Sequence, residues 1–544
     1  MSRLIVLSNR VKMPDNNPMA GGLAVALHDV LIENPSIWMG WNGKILDPCV
    51  DGFNDCATNA FSSSKPPTLA SADADGQRAN PKVTYITTAL TTKQYQHFYC
   101  GFANNVLWPL LHEQANLISQ APQDYAGYQA VNHLFARQLK KVIEPDDVIW
   151  VHDYHFLSVA HYCRQLGINN RIGFFLHIPF APLAFWQQLD QSPELIEHLA
   201  HYDVLGTQTQ QDKTNAIAVF QHYLNGRFLQ HSPLHKSYNS QDFTPFNRFA
   251  GVHLTLNLDL CATHCLAINA YPIGVNVAKI QQQITRSSSR LPSQTVKHPQ
   301  QENVIKPAAQ QIIAVDRIDY SKGLLERFSA YRYFLQQHPL YQNQLKLLQI
   351  ACPSRLDLPV YRRLYDNVQK TVHGINQQFL PSGEQTPTFK TDDCSAHDKA
   401  NDFINNWQAI TYSEKVLNHE ALMRAFWHSD IGWVNSLKDG MNLVAKEYIA
   451  AQNPENPGVL MLSRYAGAAE QMQAAVIIDP HQPKSIIHGL KTALEMPLAQ
   501  RKERYHALLQ GLQQDNLHAW QQDFLDDLYD VKNHPTTNEC PATV

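Results

Sequence analysis

Short β-branched apolar runs, each followed by a stretch long enough for a helix, recur along this 544-residue chain and constrain its fold more than any other feature. Leu4 to Leu7, Val148 to Val151, Ile172 to Leu176 and Val204 to Leu205 make one set. Ile312 to Val315, Leu345 to Ile350, Ile431 to Val434, Val459 to Leu462 and Val476 to Ile478 make another. Apolar on both faces, such runs suit parallel strands covered by crossover helices. Two sets predict two doubly wound α/β domains rather than one large sheet.

Composition removes several partner classes. Lys and Arg number 44 against 48 Asp and Glu, a net charge of −4 with His neutral. No bulk basic field exists to hold nucleic acid or a membrane surface, so an anionic ligand must meet a few local cations. The opening apolar run is too short for a signal-peptide core, and no stretch approaches the ~18 apolar residues of a membrane span. The 9 cysteines are odd in number and scattered without a CxxC pair, which argues against a disulfide framework and for a reduced, cytoplasmic setting. Cys261, His264 and Cys265 lie close together, but a structural zinc needs four ligands and no second pair is near.

Polar, Pro- and Ser-rich stretches at 47–81, 230–247, 286–307 and 381–401 lack periodic apolar positions and read as insertions. From Leu498 to Tyr529 the apolar residues Leu508, Leu512, Trp520, Phe524 and Leu528 recur at helical spacing, predicting one or two closing helices.

Candidate functional residues fall at strand ends, where open α/β sheets place their ligands. Arg10 closes the first run, and Gly21-Gly22 opens a helix read over Leu23 to Leu31. A glycine pair there lets backbone N–H groups approach a phosphate with the helix dipole behind them, though a plain turn uses glycine equally well. His152-Asp153-Tyr154-His155 ends another strand. The two histidines with Asp153 would make a metal site only with a further firm ligand, which is missing; hydroxyl recognition by the carboxylate, with aromatic faces against a sugar ring, fits better. The run Ile172 to Leu176 delivers His177-Ile178-Pro179-Phe180 to the same edge.

In the second set, Arg317 and Lys322 straddle a strand–helix junction, so two cations and a helix N-terminus can converge on one polyanion such as a diphosphate. Asp439 and Glu447 stand about two helical turns apart, so that one can face a sugar and the other a ribose. Asp439 alone would serve equally as an N-cap.

Taken in order, Ser8-Asn9-Arg10, Ala20-Gly21-Gly22-Leu23, Val106-Leu107-Trp108-Pro109, His152-Asp153-Tyr154-His155, His177-Ile178-Pro179-Phe180, Tyr271-Pro272-Ile273-Gly274, Asp319-Tyr320-Ser321-Lys322-Gly323-Leu324 and Asp439-Gly440-Met441-Asn442-Leu443-Val444-Ala445-Lys446-Glu447-Tyr448 resemble the trehalose-6-phosphate synthase family of retaining glycosyltransferases. The resemblance runs from Arg3 to about Asp526, apart from the insertions. It implies a GT-B fold of two Rossmann-like domains facing across a cleft. Residues 1–273, joined by a C-terminal helix over about 515–532, would hold the acceptor glucose 6-phosphate; 274–514 would hold UDP-glucose; 533–544 would be a flexible tail.

Residue by residue, the resemblance implies that Arg10, Tyr99 and Arg355 serve the acceptor phosphate, Trp108 its sugar and Asp153 its hydroxyls. On the donor side it implies Gly21, Gly22, Arg317 and Lys322 at the diphosphate, and Asp439, Gly440, Met441 and Asn442 at glucose. The amides of Leu443 and Val444 would contact phosphate, and Glu447 the ribose, with Leu417, Ala445 and Lys446 completing the set. His177 would meet the donor glucose near the reacting carbon. Arg317, Lys322, Asp153, His177 and Asp439 would carry the chemistry by same-face transfer, with no metal or cofactor. A separate trehalose-phosphate phosphatase downstream and a homo-oligomer are also implied. Rival readings are a glucosylglycerol-phosphate synthase, which takes glycerol 3-phosphate, and a catalytically silent homologue. The chain departs from the family's commoner pattern at Ala181, at Thr207 and over Val434-Asn435-Ser436-Leu437-Lys438.

Overall fold

Leu4–Arg10 folds as strand β1, and its first five residues are buried, as a strand covered on both faces must be. With it β2 (Ser36–Leu46), β3 (Ser62–Ser64), β4 (Thr84–Thr91), β5 (Val148–His152), β6 (Arg171–Phe175), β7 (Val204–Thr207), β8 (Phe228–Pro233), β9 (Val252–Asp259) and β10 (Ala262–Ala270) make a 10-stranded sheet ordered β3-β4-β2-β1-β5-β6-β7-β10-β9-β8. Strands β4 through β10 in that order run parallel. The edges β3, β9 and β8 pair antiparallel. This computed structural model describes residues 3–11, 27, 31, 36–46, 62–64, 83–224, 228–233, 252–259, 262–288, 310–380 and 407–530.

The sheet belongs to a unit formed by Met1–Ile273 with Leu517–Val544, and Gly274–Asn516 form a second unit. Within the first, the chain works outward from β1 through β2 and β4, then returns to β5 and works the other way. That reversal creates a topological switch point between β1 and β5, whose carboxyl ends are Arg10 and His152. The helix Leu517–Asp530 packs on β6 and β7. Its Phe524 ring stacks on Trp150 with centroids 4.8 Å apart, and the Tyr271 hydroxyl donates to Asp527 Oδ2 at 2.6 Å. The fit leaves no room for a β-carbon at Gly173, where one would stand 2.8 Å from the Phe524 ring.

In the second unit β11 (Gln310–Arg317), β12 (Leu345–Cys352), β13 (Ile410–Ser413), β14 (Ile431–Val434), β15 (Val459–Ser463) and β16 (Val476–Ile478) form a fully parallel sheet ordered β13-β12-β11-β14-β15-β16. The switch point here lies between β11 and β14. Ile312, Phe328, Tyr331, Leu347, Trp433, Met461 and Leu490 are among its buried core.

The apolar runs named from sequence all became strands, but β2, β3, β4, β8, β9, β10 and β13 were not foreseen. β2 breaks its apolar pattern with two glycines and an Asn, and β4 is Thr-rich although its middle is buried. The stretches read as insertions are not wholly without regular structure: Ser62–Ser64 pairs with β4, β8 (Phe228–Pro233) runs into the stretch from 230 and pairs with β9, and the helix Val277–Ser288 runs into the segment read as a loop from 286. Most of those stretches, and the tail at 533–544, lie outside the described residues. The closing segment is two helices, Leu498–Gln514 and Leu517–Asp530.

Candidate active site

In the first unit, Arg10 at the end of β1 lies over the Trp41 ring, 5.2 Å from its centroid. Trp41 meets Tyr99 at 5.5 Å, Tyr99 stacks on His155 at 5.9 Å and 10°, His155 lies 4.0 Å from Tyr154, and Tyr154 lies 5.5 Å from Trp108. A continuous row of rings therefore joins Arg10 to Trp108, bringing together three residues expected to serve one ligand. Tyr99 sits on the π-helix Tyr95–Leu107, a wide turn of the sort that recurs at functional sites, and Trp108 begins the α-helical turn after it. Asn104 braces the row, donating to the Tyr99 carbonyl at 2.7 Å while accepting from the Tyr154 hydroxyl at 2.9 Å. Trp108 is itself buried.

Asp153 follows β5 with φ 74° and ψ 165°, a region that costs any residue but glycine of order 1–3 kcal/mol. The conformation turns its carboxylate toward the end of β6, where Oδ1 accepts from the His177 amide at 3.3 Å. His152, fully buried, places Nδ1 3.0 Å from His177 Nε2. Burial pushes both imidazoles down, His177 to about 3, so the pair is neutral at physiological pH. His155 is taken up in the aromatic row, so His152, Asp153 and His155 do not share a ligand point. Among the described residues no group of three or more His, Cys, Asp or Glu could hold a metal ion. Cys261 lies outside the described residues, and His264 Nε2 donates to the Tyr202 carbonyl at 2.8 Å.

In the second unit the switch point gathers the other set. Lys322 Nζ stands 2.5 Å from Asp439 Oδ2. Asp439 also accepts from Ser436 Oγ at 3.0 Å and Asn442 Nδ2 at 2.9 Å. Gly323, at φ 62°, ends the Lys322 turn against Asn435, whose Nδ2 donates to the Gly323 carbonyl at 2.8 Å; a β-carbon there would stand 2.4 Å from the Asn435 oxygen. Arg317 is exposed at the end of β11. Asn442 caps the helix Leu443–Ala450 by taking the Ala445 amide at 3.2 Å. Leu443 and Val444 carry the first two amides, which an α-helix leaves without an intrahelical acceptor and which favour an anion.

Glu447 is on the buried side of that helix, where desolvation raises its carboxyl to about 7, with His419 Nε2 at 3.8 Å. Lys446 is fully buried, and its ammonium donates to Gln471 Oε1 at 2.7 Å; burial lowers it to about 7. The lysine thus braces the helix from inside. Leu417 is half-buried in the loop before the helix His419–Trp427. Arg355 also belongs to this unit, not to the one holding Arg10, Tyr99, Trp108 and Asp153, and its NH1 lies 3.0 Å from the buried Asp319 Oδ2. Gly21 and Gly22 lie outside the described residues.

Sequence reasoning missed Asp319, His152 as a partner of His177, and the Ser436–Asn442 grip on Asp439. Asn442 carried a signal, an Asn immediately before a helix. The others are contacts between distant segments. Of the five described non-glycine residues at positive φ, three are candidate site residues, Asp153, Arg355 and Asn442.

Comparison with known proteins identifies the family and the fold. The model of glycosyltransferase family 20 matches residues 12–391 and 402–530. A trehalose-6-phosphate synthase of Sodalis glossinidius is 34% identical over 97% of this chain and 96% of its own. The solved alpha,alpha-trehalose-phosphate synthase (UDP-forming) of Burkholderia xenovorans, in complex with glucose-6-phosphate, superposes with a TM-score of 0.77 at 32% identity, covering 97% of this chain and 100% of the other. A structure described as trehalose-6-phosphate from E. coli bound with UDP-2-fluoro glucose gives 0.74 at 30% identity, covering 97% and 99%. Matched along nearly its full length in sequence and in its two Rossmann-like units, this GT-B chain belongs to glycosyltransferase family 20, the trehalose-6-phosphate synthases.

Proposed function

We propose that this protein transfers glucose from UDP-glucose to glucose 6-phosphate with retention, forming α,α-trehalose 6-phosphate and releasing UDP. The observation that carries the reading is the second unit's switch point. There Lys322, Arg317 and the amino end of the helix Leu443–Ala450 collect positive charge where a diphosphate would leave, and Asp439 supplies an acceptor for sugar hydroxyls. Glu447 on the same helix serves the ribose, with Gly440, Met441 and Asn442 along the sugar. Arg10, Tyr99, Trp108 and Asp153 serve the acceptor, Arg355 its phosphate, and His177 the donor sugar near the reacting carbon.

Transfer on one face of the sugar asks the protein chiefly to position two substrates and to stabilise charge on the departing oxygen. Arg317 and Lys322 meet that charge directly, and no cofactor is assigned. A cytoplasmic setting, a homo-oligomer and a downstream phosphatase acting on the product complete the reading; among the described residues no helix is long and apolar enough to cross a membrane. The glycerol 3-phosphate and silent-homologue alternatives find no support among the relatives named above.

The test is release of the nucleoside diphosphate from purified protein given UDP-, GDP- or ADP-glucose, with glucose 6-phosphate or glycerol 3-phosphate as acceptor. Release with UDP-glucose and glucose 6-phosphate is expected. Release with glycerol 3-phosphate but not with glucose 6-phosphate would overturn the reading.

A further inference from the structure

The end of β5 grips one residue at the end of β6 in two places. Asp153, through its strained backbone, holds the His177 amide, and the residue before it, His152, holds the His177 ring. The two imidazoles stack at 25° with centroids 5.2 Å apart. Trp150 closes on His152 at 4.6 Å, Phe175 on His177 at 4.7 Å, and Trp520 from the closing helix lies 6.2 Å from His177. The pair is thereby enclosed in rings.

We infer that His152 is a positioning residue, which selects the tautomer of His177 and fixes its ring plane for the transfer reaction. Two neutral rings facing each other through Nδ1 and Nε2 share a single hydrogen between those atoms. The far nitrogen of His152, Nε2, is buried with no hydrogen-bond partner. Were His177 Nε2 the donor, that far nitrogen would be an orphaned buried N–H, a rarer feature in folded proteins than an under-used acceptor. His152 Nδ1–H therefore donates, and His177 keeps its own hydrogen on Nδ1. His177 is half-buried, so its Nδ1–H is a fixed donor suited to a substrate oxygen rather than a base. The catalytic part of this inference rests on the proposed function; the tautomer does not.

Two variants separate hydrogen bonding from space filling. His152→Phe keeps a flat ring without a donor, and His152→Asn keeps a side-chain N–H near the position of Nδ1. UDP release should fall roughly tenfold to a hundredfold in kcat for His152→Phe, with little change in the KM for UDP-glucose, and recover most of that loss in His152→Asn. The 15N shifts of His177 should report the Nδ1–H tautomer in the parent and in His152→Asn, and the Nε2–H tautomer in His152→Phe. Equal kcat in His152→Phe and parent would overturn the positioning role. An Nε2–H tautomer in the parent would overturn the assignment even if His152→Phe failed to fold. If the parent itself released no UDP, the proposed function would fall while the 15N shifts still decided the tautomer.

Discussion

Lys322 Nζ and Asp439 Oδ2 stand 2.5 Å apart although they follow two different strands, β11 and β14, whose ends meet only because the sheet order reverses between them. The pair is mostly enclosed, and Ser436 and Asn442 hold the carboxylate from its other side. Lys322→Met and Asp439→Asn should each lower kcat on the order of 10²–10³, as expected when one preorganised group at a developing charge is removed. The double variant should be far less impaired than the product of the single losses, since both members act through one contact. Steady-state UDP release measures all three.

Asp153 offers a comparison that isolates backbone strain. Asp153→Gly and Asp153→Ala both lose the carboxylate and its bond to the His177 amide, but only glycine adopts φ 74° and ψ 165° freely. The glycine variant should be the more stable by about 1–3 kcal/mol, with activity reduced in both. Thermal unfolding of the two proteins side by side checks the difference.

Glu447 should make stability fall toward neutral pH. Burial raises its carboxyl from the ordinary 4.5 to about 7, so the folded state retains a proton that the unfolded chain releases. Its contribution is complete below about 4.5, is lost as pH rises through about 7, and changes no further above that, an overall loss of ~3 kcal/mol. Glu447→Gln should therefore be more stable than the parent at pH 8, equal to it near pH 4.5, and weaker in UDP-glucose binding. Denaturant midpoints at the two pH values, with KM at pH 8, test this.

Gly173→Ala should destabilise the first unit by about 1–3 kcal/mol, because its β-carbon would stand 2.8 Å from the Phe524 ring. Phe524→Leu in the same chain should recover part of that loss while costing stability on its own, so a double-mutant cycle should show coupling.

Legibility in the sequence followed the range over which each feature is built. Arg317, Lys322 and Asp439 could be placed because a strand end and the residues just after it are contiguous, and sheet topology then does the converging. Tyr99 and Arg355 entered only through family resemblance, since nothing local distinguishes a tyrosine on a π-helix or an arginine after β12. The His152–His177 pair, 25 residues apart, and the Arg355–Asp319 pair, 36 apart, depend on which strands become neighbours. β2 escaped notice for a different reason: its glycines and Asn interrupt the alternation that marks a strand, while its backbone pairing is supplied by β1 and β4 on either side.

Phe524 and Trp520 complete the packing around Trp150, yet they lie more than 350 residues downstream of it. The second unit is one uninterrupted stretch, Gly274–Asn516, whereas the first needs the last helix to finish its interior. A ribosome delivers the chain from its amino end, so the part begun first is the part finished last. Trp150, Gly173 and Gly206, where a β-carbon would stand 2.9 Å from the Phe524 ring, thus stay uncovered until the last helix of the described chain is available to close the first unit.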